Sequence, residues 1–328
     1  MQNRNYSTNS IVEAGLITSI VVILMLMNVY IPIFSLFGEF ILPIPITVLF
    51  LRHDFKITII SVIVSGIIIA AVYNPISAVS SSVLFGIIGI TLGYLIKKNK
   101  STGTILIFLS LAFAAVTIID FGIYVTLIDK GGVTGFINYT LSQFKDSVSM
   151  AKQMYSKMGV SNEQLQLIDQ IANMFNKDYI ISVIPAVITI ISITFSYLNY
   201  AVTERVLRRL NYNVKPLKSF VEFHVDAKAG SLIGIALVIG LLLKNNNILY
   251  GNSIAVSSQY ILQIALLLDG FALAAYYLRS RFKMSKLFTV IIILFTGFSQ
   301  LSILYVTAGF IDIFFDFRKL NPCKREKN

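Results

Sequence analysis

The chain has no tryptophan, one cysteine, two histidines and seven prolines in 328 residues, and only 13% of it is charged. With Cys323 alone, an internal disulfide is excluded, and the context PCKREKN is not a prenylation box. The two histidines, His53 and His224, lie far apart in sequence and read as solvated loop residues. No Cys/His cluster, HExxH, GxSxG or phosphate loop is present. No catalytic residue, metal ligand or cofactor is therefore predicted, and the chain is not expected to be an enzyme. The shortage of charge also argues against a soluble domain, which carries about 25% charged residues.

What fills the sequence instead is apolar: 56% of residues are hydrophobic, and mean hydropathy is +0.77. Uncharged or nearly uncharged blocks run over 14–38, 57–96, 104–128, 179–203, 229–243, 254–278 and 287–315. Several reach the roughly 20 residues that span a bilayer. Lipid offers backbone groups no hydrogen-bond partner, so such blocks must be helices, and the alternation of a membrane barrel is absent. The predicted fold is all-α: a polytopic transmembrane helical bundle of about 8–10 membrane helices. Expected spans are 11–34, a short second one at 40–51, then 55–73, 76–96, 104–128, 179–201, 229–244 and 254–278. The block 287–316 is too long for one span; Gly297, Ser299 and Gln300 near its middle predict a hairpin of two short helices.

The net charge of +11 is a matter of sidedness. With the N-terminus inside, 21 of the 27 Lys and Arg residues fall on inner segments. That is the positive-inside signature, reinforced by anionic inner-leaflet lipid, and it argues against nucleic acid as a partner. It predicts a multi-pass membrane protein with both termini in the cytoplasm; the bacterial cytoplasmic membrane as its location is what the family resemblance given below implies. The first apolar run is read as an uncleaved span. Four regions follow: a membrane domain over 1–200, a basic cytoplasmic loop over 201–228, further membrane helices over 229–317, and a cytoplasmic tail over 318–328.

The one sizeable outer loop, 129–178, carries apolar residues Leu141, Phe144, Val148, Ala151, Tyr155 and Met158 at spacings of three and four, the mark of an amphipathic helix. Ser161 with Gln164 reads as a capping box opening a second. The expected form is a helical hairpin over 129–178.

Polar groups at membrane depth are the residues most apt to carry function. Asp120 and Asp269 lie within predicted spans; each is open to two readings, as a binder of a cation, amine or proton, or as a hydrogen-bonded tie between helices. Gln259 and Gln263 are expected to share a polar face with Asp269. Asp312 and Asp316, just before Arg318 and Lys319, read as an interfacial ion-pair anchor. Ser82, Gly86, Gly89 and Gly93 form a smooth ridge for close helix packing, as do Ala14 with Thr18 and Gly15 with Ser19.

The stretch GEFILPIPITVLFLRHDFK, 38–56, is the least ordinary. Its apolar run is too short to span, and Pro43 and Pro45 predict extended backbone before a short helix. Interrupted segments of this kind mark transporter sites. Residues 33–45, Glu39 among them, are read in one of two ways: as lining an outward-facing hollow with Asn74, the 73–77 turn and the 129–178 hairpin, or as part of a tilted short helix packed in the bundle with no ligand.

The order of a first span ending Ile31-Pro32, a loop, PIP, a short helix, a basic turn, and a glycine-rich span after Asn74-Pro75 resembles the substrate-binding (S) subunits of energy-coupling factor transporters over about 11–200. The motifs LLLDGFALAAYYLRSRF (266–282) and GFIDIFFDFRK (309–319) are similar to those of the related YybS-like bacterial membrane proteins, and this likeness covers nearly the whole chain. The S-subunit resemblance implies six helices around an outward pocket that binds a small-molecule solute, with the loop between the first two spans in its lid. It also implies a small-xxx-small face on the first span for a membrane coupling protein, here Ala14 and Thr18, although Thr18 departs from the usual alanine. The expected function is solute binding or transport; the alternative is a membrane scaffold or regulator of envelope or signalling proteins.

Overall fold

The structure, a computed structural model, describes residues 8–128 and 131–320. Cys323 and most of the predicted tail lie outside them. Among the described residues there are thirteen α-helices and no strand. Seven helices are long and apolar enough to cross a membrane, and an eighth crossing results if the bent pair near the C-terminus is one span. Much of the remaining apolar surface faces outward from the bundle, as a protein solvated by acyl chains requires. The chain is a polytopic helical membrane protein.

The chain divides into two compact units. One takes in the chain up to Phe144 together with Ile188–Leu217; the other takes in Lys145–Val187 and the chain from Lys218 onward. Numbering helices in chain order, the first unit contains α1 (Thr8–Tyr30), α2 (Pro32–Ile41), α3 (Pro43–Arg52), α4 (Phe55–Val72), α5 (Pro75–Lys97) and α6 (Thr102–Ile123). A π-helical turn, Tyr124–Ile128, follows α6. Residues of α7 (Gly132–Lys157) before 145 and of α9 (Lys177–Arg209) after 187 complete this unit.

The expectation of extended backbone around Pro43 and Pro45 is not met. Residues 32–52 are helical on both sides of a break at Leu42–Pro43. Pro43 is the first residue of α3, where a missing N–H is one the helix leaves unpaired anyway and the fixed φ suits the helix. Pro45 falls in the same first turn. The prolines thus start a helix rather than preserve an irregular segment.

Packing of α3 on α5 explains the glycine ridge. A Cβ on Gly89 would lie 2.8 Å from the Pro43 carbonyl oxygen and from Ile46, and one on Gly93 would lie 2.8 Å from Phe50. Gly86 faces Val62 of α4 in the same way, at 3.0 Å. These glycines are occupied by the protein's own helices. Thr18 is likewise spent internally: its hydroxyl donates to the Ala14 carbonyl at 2.8 Å and shares a 2.7 Å hydrogen bond with Ser61 of α4. Ala14 is half-buried against the core and Thr18 is buried, so the two residues named for docking are engaged in internal packing.

Asn74 is the N-cap of α5, its Oδ1 accepting from the Ile76 and Ser77 amides at 2.8 and 3.3 Å. Asn74→Ala should lower stability by about 1 kcal/mol, read as a small drop in the melting temperature of detergent-purified protein, whereas Asn74→Asp should leave it near wild type.

The second unit contains the later part of α7, α8 (Asn162–Met174), the first turns of α9, a 3-10 turn over Phe220–Glu222, α10 (Ala227–Asn245), α11 (Gly251–Ser280), α12 (Lys286–Gly297) and α13 (Ser302–Phe315). The two amphipathic helices expected in 129–178 are α7 and α8, and Lys152 pairs with Asp169 between them at 2.6 Å. Ser161 takes the N-cap position of α8, but its side chain makes no capping hydrogen bond, so the capping box is not formed. The block 287–316 breaks as anticipated, with α12 and α13 bent by 109° at Phe298–Leu301. Two backbone contacts organise this unit. Gly240 of α10 abuts the Ala255 backbone of α11, and Gly270 of α11 meets the Tyr305 carbonyl of α13.

Candidate functional site

Among the described residues, two places gather buried polar groups between apolar helices, one in each unit.

In the first unit, a hollow of about 330 Å³ opens between α1, α2, α5 and α6. Helical periodicity builds its walls. Ser77, Ser80, Ser81 and Leu84 line it at spacings of three, one and three along α5, and Asp120, Ile123 and Tyr124 repeat that pattern at the end of α6. Met25 and Asn28 come from the last turns of α1, and Glu39 and Leu42 from α2 and the break after it. The π-helical turn starting at Tyr124 is of a kind often found at functional sites.

The polar character of this hollow is one-sided. Ser80 donates to Asp120 Oδ1 at 2.8 Å. The Asn28 side-chain oxygen Oδ1 is buried without a hydrogen-bond donor among the described residues. None of the lining side chains is basic, and Glu39 has no basic partner among the described residues. Of the residues singled out by sequence, Glu39 and Asp120 come together here. Pro43 and Pro45 do not line the hollow, and Asn74 is used up in capping.

In the second unit, Asp269 of α11 and Asp312 of α13 are both fully buried and share one guanidinium. Arg318 Nη2 donates to Asp269 Oδ1 and, at 2.7 Å, to Asp312 Oδ2; its Nε reaches the same Asp312 oxygen at 3.1 Å. Arg318 Nη1 donates to the carbonyls of Val221 and Phe223 at 3.1 and 2.7 Å. Asp269 Oδ2 also accepts from the Val225 amide at 3.2 Å. His224 stands beside the pair, Nδ1 3.6 Å from Asp269 Oδ2 and 3.7 Å from Asp312 Oδ2. The Asp312 carboxylate holds the imidazole above its ordinary value, burial opposes that, and Asp269 adds to the rise. The three acidic and imidazole ligand atoms lie within 4.8 Å of one another, but the guanidinium already bridges the two carboxylates where a cation would sit.

Local geometry delivers Arg318 to this point. α13 ends at Asp316, whose backbone is left-handed (φ 47°), so the chain turns back and Phe317 N–H caps Asp312 Oδ1 at 2.9 Å. Three expectations are corrected here. Asp312 is a buried partner rather than an interfacial anchor, His224 is largely enclosed rather than solvated, and Gln263 does not join Asp269. Gln263 and Gln259 are exposed. Six residues separate Gln263 from Asp269, about 600° of helical rotation, which puts them on different faces. The pairing of Arg318 with Asp312 was legible in the IDIFFDFR motif, an acid and a base six apart across a helix end; its burial and its second bond, to Asp269, were not.

A polytopic helical protein with buried ionisable groups between its helices is the class these observations define. The family model described as "Predicted membrane protein (DUF2232)" matches residues 19–313, and the chain belongs to that family. It is similar to "Uncharacterized protein YybS" of Bacillus subtilis (strain 168), with 24% identity over 287 residues covering 82% of this chain and 84% of the relative. No solved structure matches the chain significantly.

Proposed function

We propose that this integral membrane protein binds a small solute bearing a basic nitrogen in the hollow between α1, α2, α5 and α6. The observation that carries the reading is the pairing of Glu39 and Asp120 in one hollow whose lining has no basic side chain. Two carboxylates sharing a partly apolar space repel each other and are costly to keep ionised without a partner. A cationic guest relieves both costs, the serine hydroxyls orient it, and Met25, Leu42, Ile76, Leu84 and Ile123 receive its apolar part. The asymmetry of Lys and Arg supports a bacterial cytoplasmic-membrane location with this end of the helices outside. The sequence resemblance to energy-coupling factor S subunits over about 11–200 points to the same use of this part of the chain.

The test is thermal stabilisation of the full-length protein in nanodiscs against a panel of primary, tertiary and quaternary amines and their uncharged isosteres. A ligand at 100 times its Kd stabilises by about 2.7 kcal/mol, so a member of the panel should raise the melting temperature by several degrees. Asp120→Asn and Glu39→Gln should each cut its affinity at least tenfold. A panel in which uncharged isosteres stabilise as well as amines would overturn the amine assignment. The absence of any shift, with unaltered melting in both variants, would overturn solute binding at this hollow.

A further inference from the structure

We propose that His224, Asp269, Asp312 and Arg318 form a proton-controlled latch, closed while His224 is an imidazolium and released when it becomes neutral, that holds segment 218–226 against α11 and α13.

The charges inside the cluster set its two states. Two buried carboxylates and one guanidinium leave a net charge of −1, and a protonated His224 brings the cluster to neutrality. Among the described residues, the charged groups acting on the imidazole are Asp269, Asp312 and Arg318; Glu222, Asp226 and Lys228 of its own stretch are exposed. From α11 it meets Asp269, and from α13 and the turn after it, Asp312 and Arg318. An uncompensated buried charge is costly. The group that bears it here, Asp269, also receives the Val225 amide, while Arg318 holds the carbonyls of Val221 and Phe223. The bonds that fasten the segment are therefore the bonds that fasten the ions, and a cluster off balance loosens both.

The direction with pH follows from the sign of the shift. A group whose value is raised in the folded state contributes stability in full below the ordinary imidazole range, near 6.5. That contribution is lost as pH rises through the raised value. The segment should be held in mildly acidic conditions and freed in alkaline ones.

Hydrogen–deuterium exchange of the full chain in nanodiscs tests this, reading amides 221–226 from pH 5.5 to 9 after correction for intrinsic exchange. Wild-type protection should fall by about tenfold for each unit by which the imidazole is raised. His224→Gln should show weak protection that does not vary with pH. His224→Lys keeps a positive charge beside the carboxylates across this pH range and leaves the Asp269 and Arg318 bonds to the segment in place, so protection should stay high at pH 9. The two variants also separate the latch from simple misfolding, because one loosens the segment and the other fixes it. The proposal is overturned if wild-type protection is independent of pH, if the fall persists in His224→Gln, or if His224→Lys loses protection at high pH as the wild type does.

Discussion

Replacing Arg318 by alanine is expected to destabilise the second unit by about 3–5 kcal/mol, the cost of stranding buried charge whose partner has been removed. Asp269 and Asp312 are both without solvent exposure, so neither can recover water without opening the helix contact around it. The variant should melt well below wild type in detergent and yield little folded protein. A triple variant carrying Arg318→Met, Asp269→Asn and Asp312→Asn removes the charges of both acids and of the guanidinium at once, and with them the groups that favour a protonated His224. It should recover most of the loss, because a buried ion pair replaced whole by groups of similar volume is often neutral in stability. If Arg318→Ala melts like wild type, the guanidinium is not the tie between α11, α13 and segment 218–226. If the triple variant is as damaged as the single one, the ions stabilise the fold for a reason other than their mutual balance.

An effect of similar size is expected at the crossing of α11 and α13. A Cβ on Gly309 would stand 2.1 Å from the Leu266 carbonyl oxygen and 2.8 Å from the Gly270 amide nitrogen. These are backbone atoms of a helix interior and cannot step aside as a side-chain tip can. Gly309→Leu must push the helices apart, which separates Asp269 from Asp312 and removes van der Waals contact along the crossing. Overpacking alone costs about 1–3 kcal/mol, and the disturbed ion cluster adds to it. Size-exclusion profiles and melting curves should show Gly309→Leu as aggregated or unfolded. Gly234→Leu is the control: nothing lies within 4 Å of a Cβ there, and the side chain should enter the surrounding lipid without penalty. A normal melting curve for Gly309→Leu would mean that the helices cross less closely than described.

The helices themselves were legible because hydropathy and length decide them in a membrane, where backbone hydrogen bonds leave few other choices. The break of the last block at Gly297–Gln300 was legible for the same reason, since a single helix would be too long. The candidate groups were legible only singly. Glu39 and Asp120 stand out as acids in apolar surroundings, yet nothing in their spacing says that α2 and α6 meet; eighty-one positions separate them. His224 was passed over because a histidine in a basic loop is usually wet, and its enclosure depends on a guanidinium ninety-four positions away. The prolines were misjudged for a different reason. A proline breaks a helix from within but starts one from its first turn, and sequence alone does not say which position it takes until the capping boundary is known. Gln263 was an error of register, correctable by counting turns.

The contact of α10 with α11 has a mechanical consequence. Gly240 sits against the Ala255 backbone, and Gly251 against the backbone of Leu243 and Lys244, so the main chains touch on both sides of the Asn246–Tyr250 turn. With no side chain between them, neither acyl chains nor water can wedge into the seam, and the pair resists shear as a single strut. Lateral pressure or a change in bilayer thickness would tilt that strut bodily, carrying the lower end of α11, and whatever is tethered there, along with it.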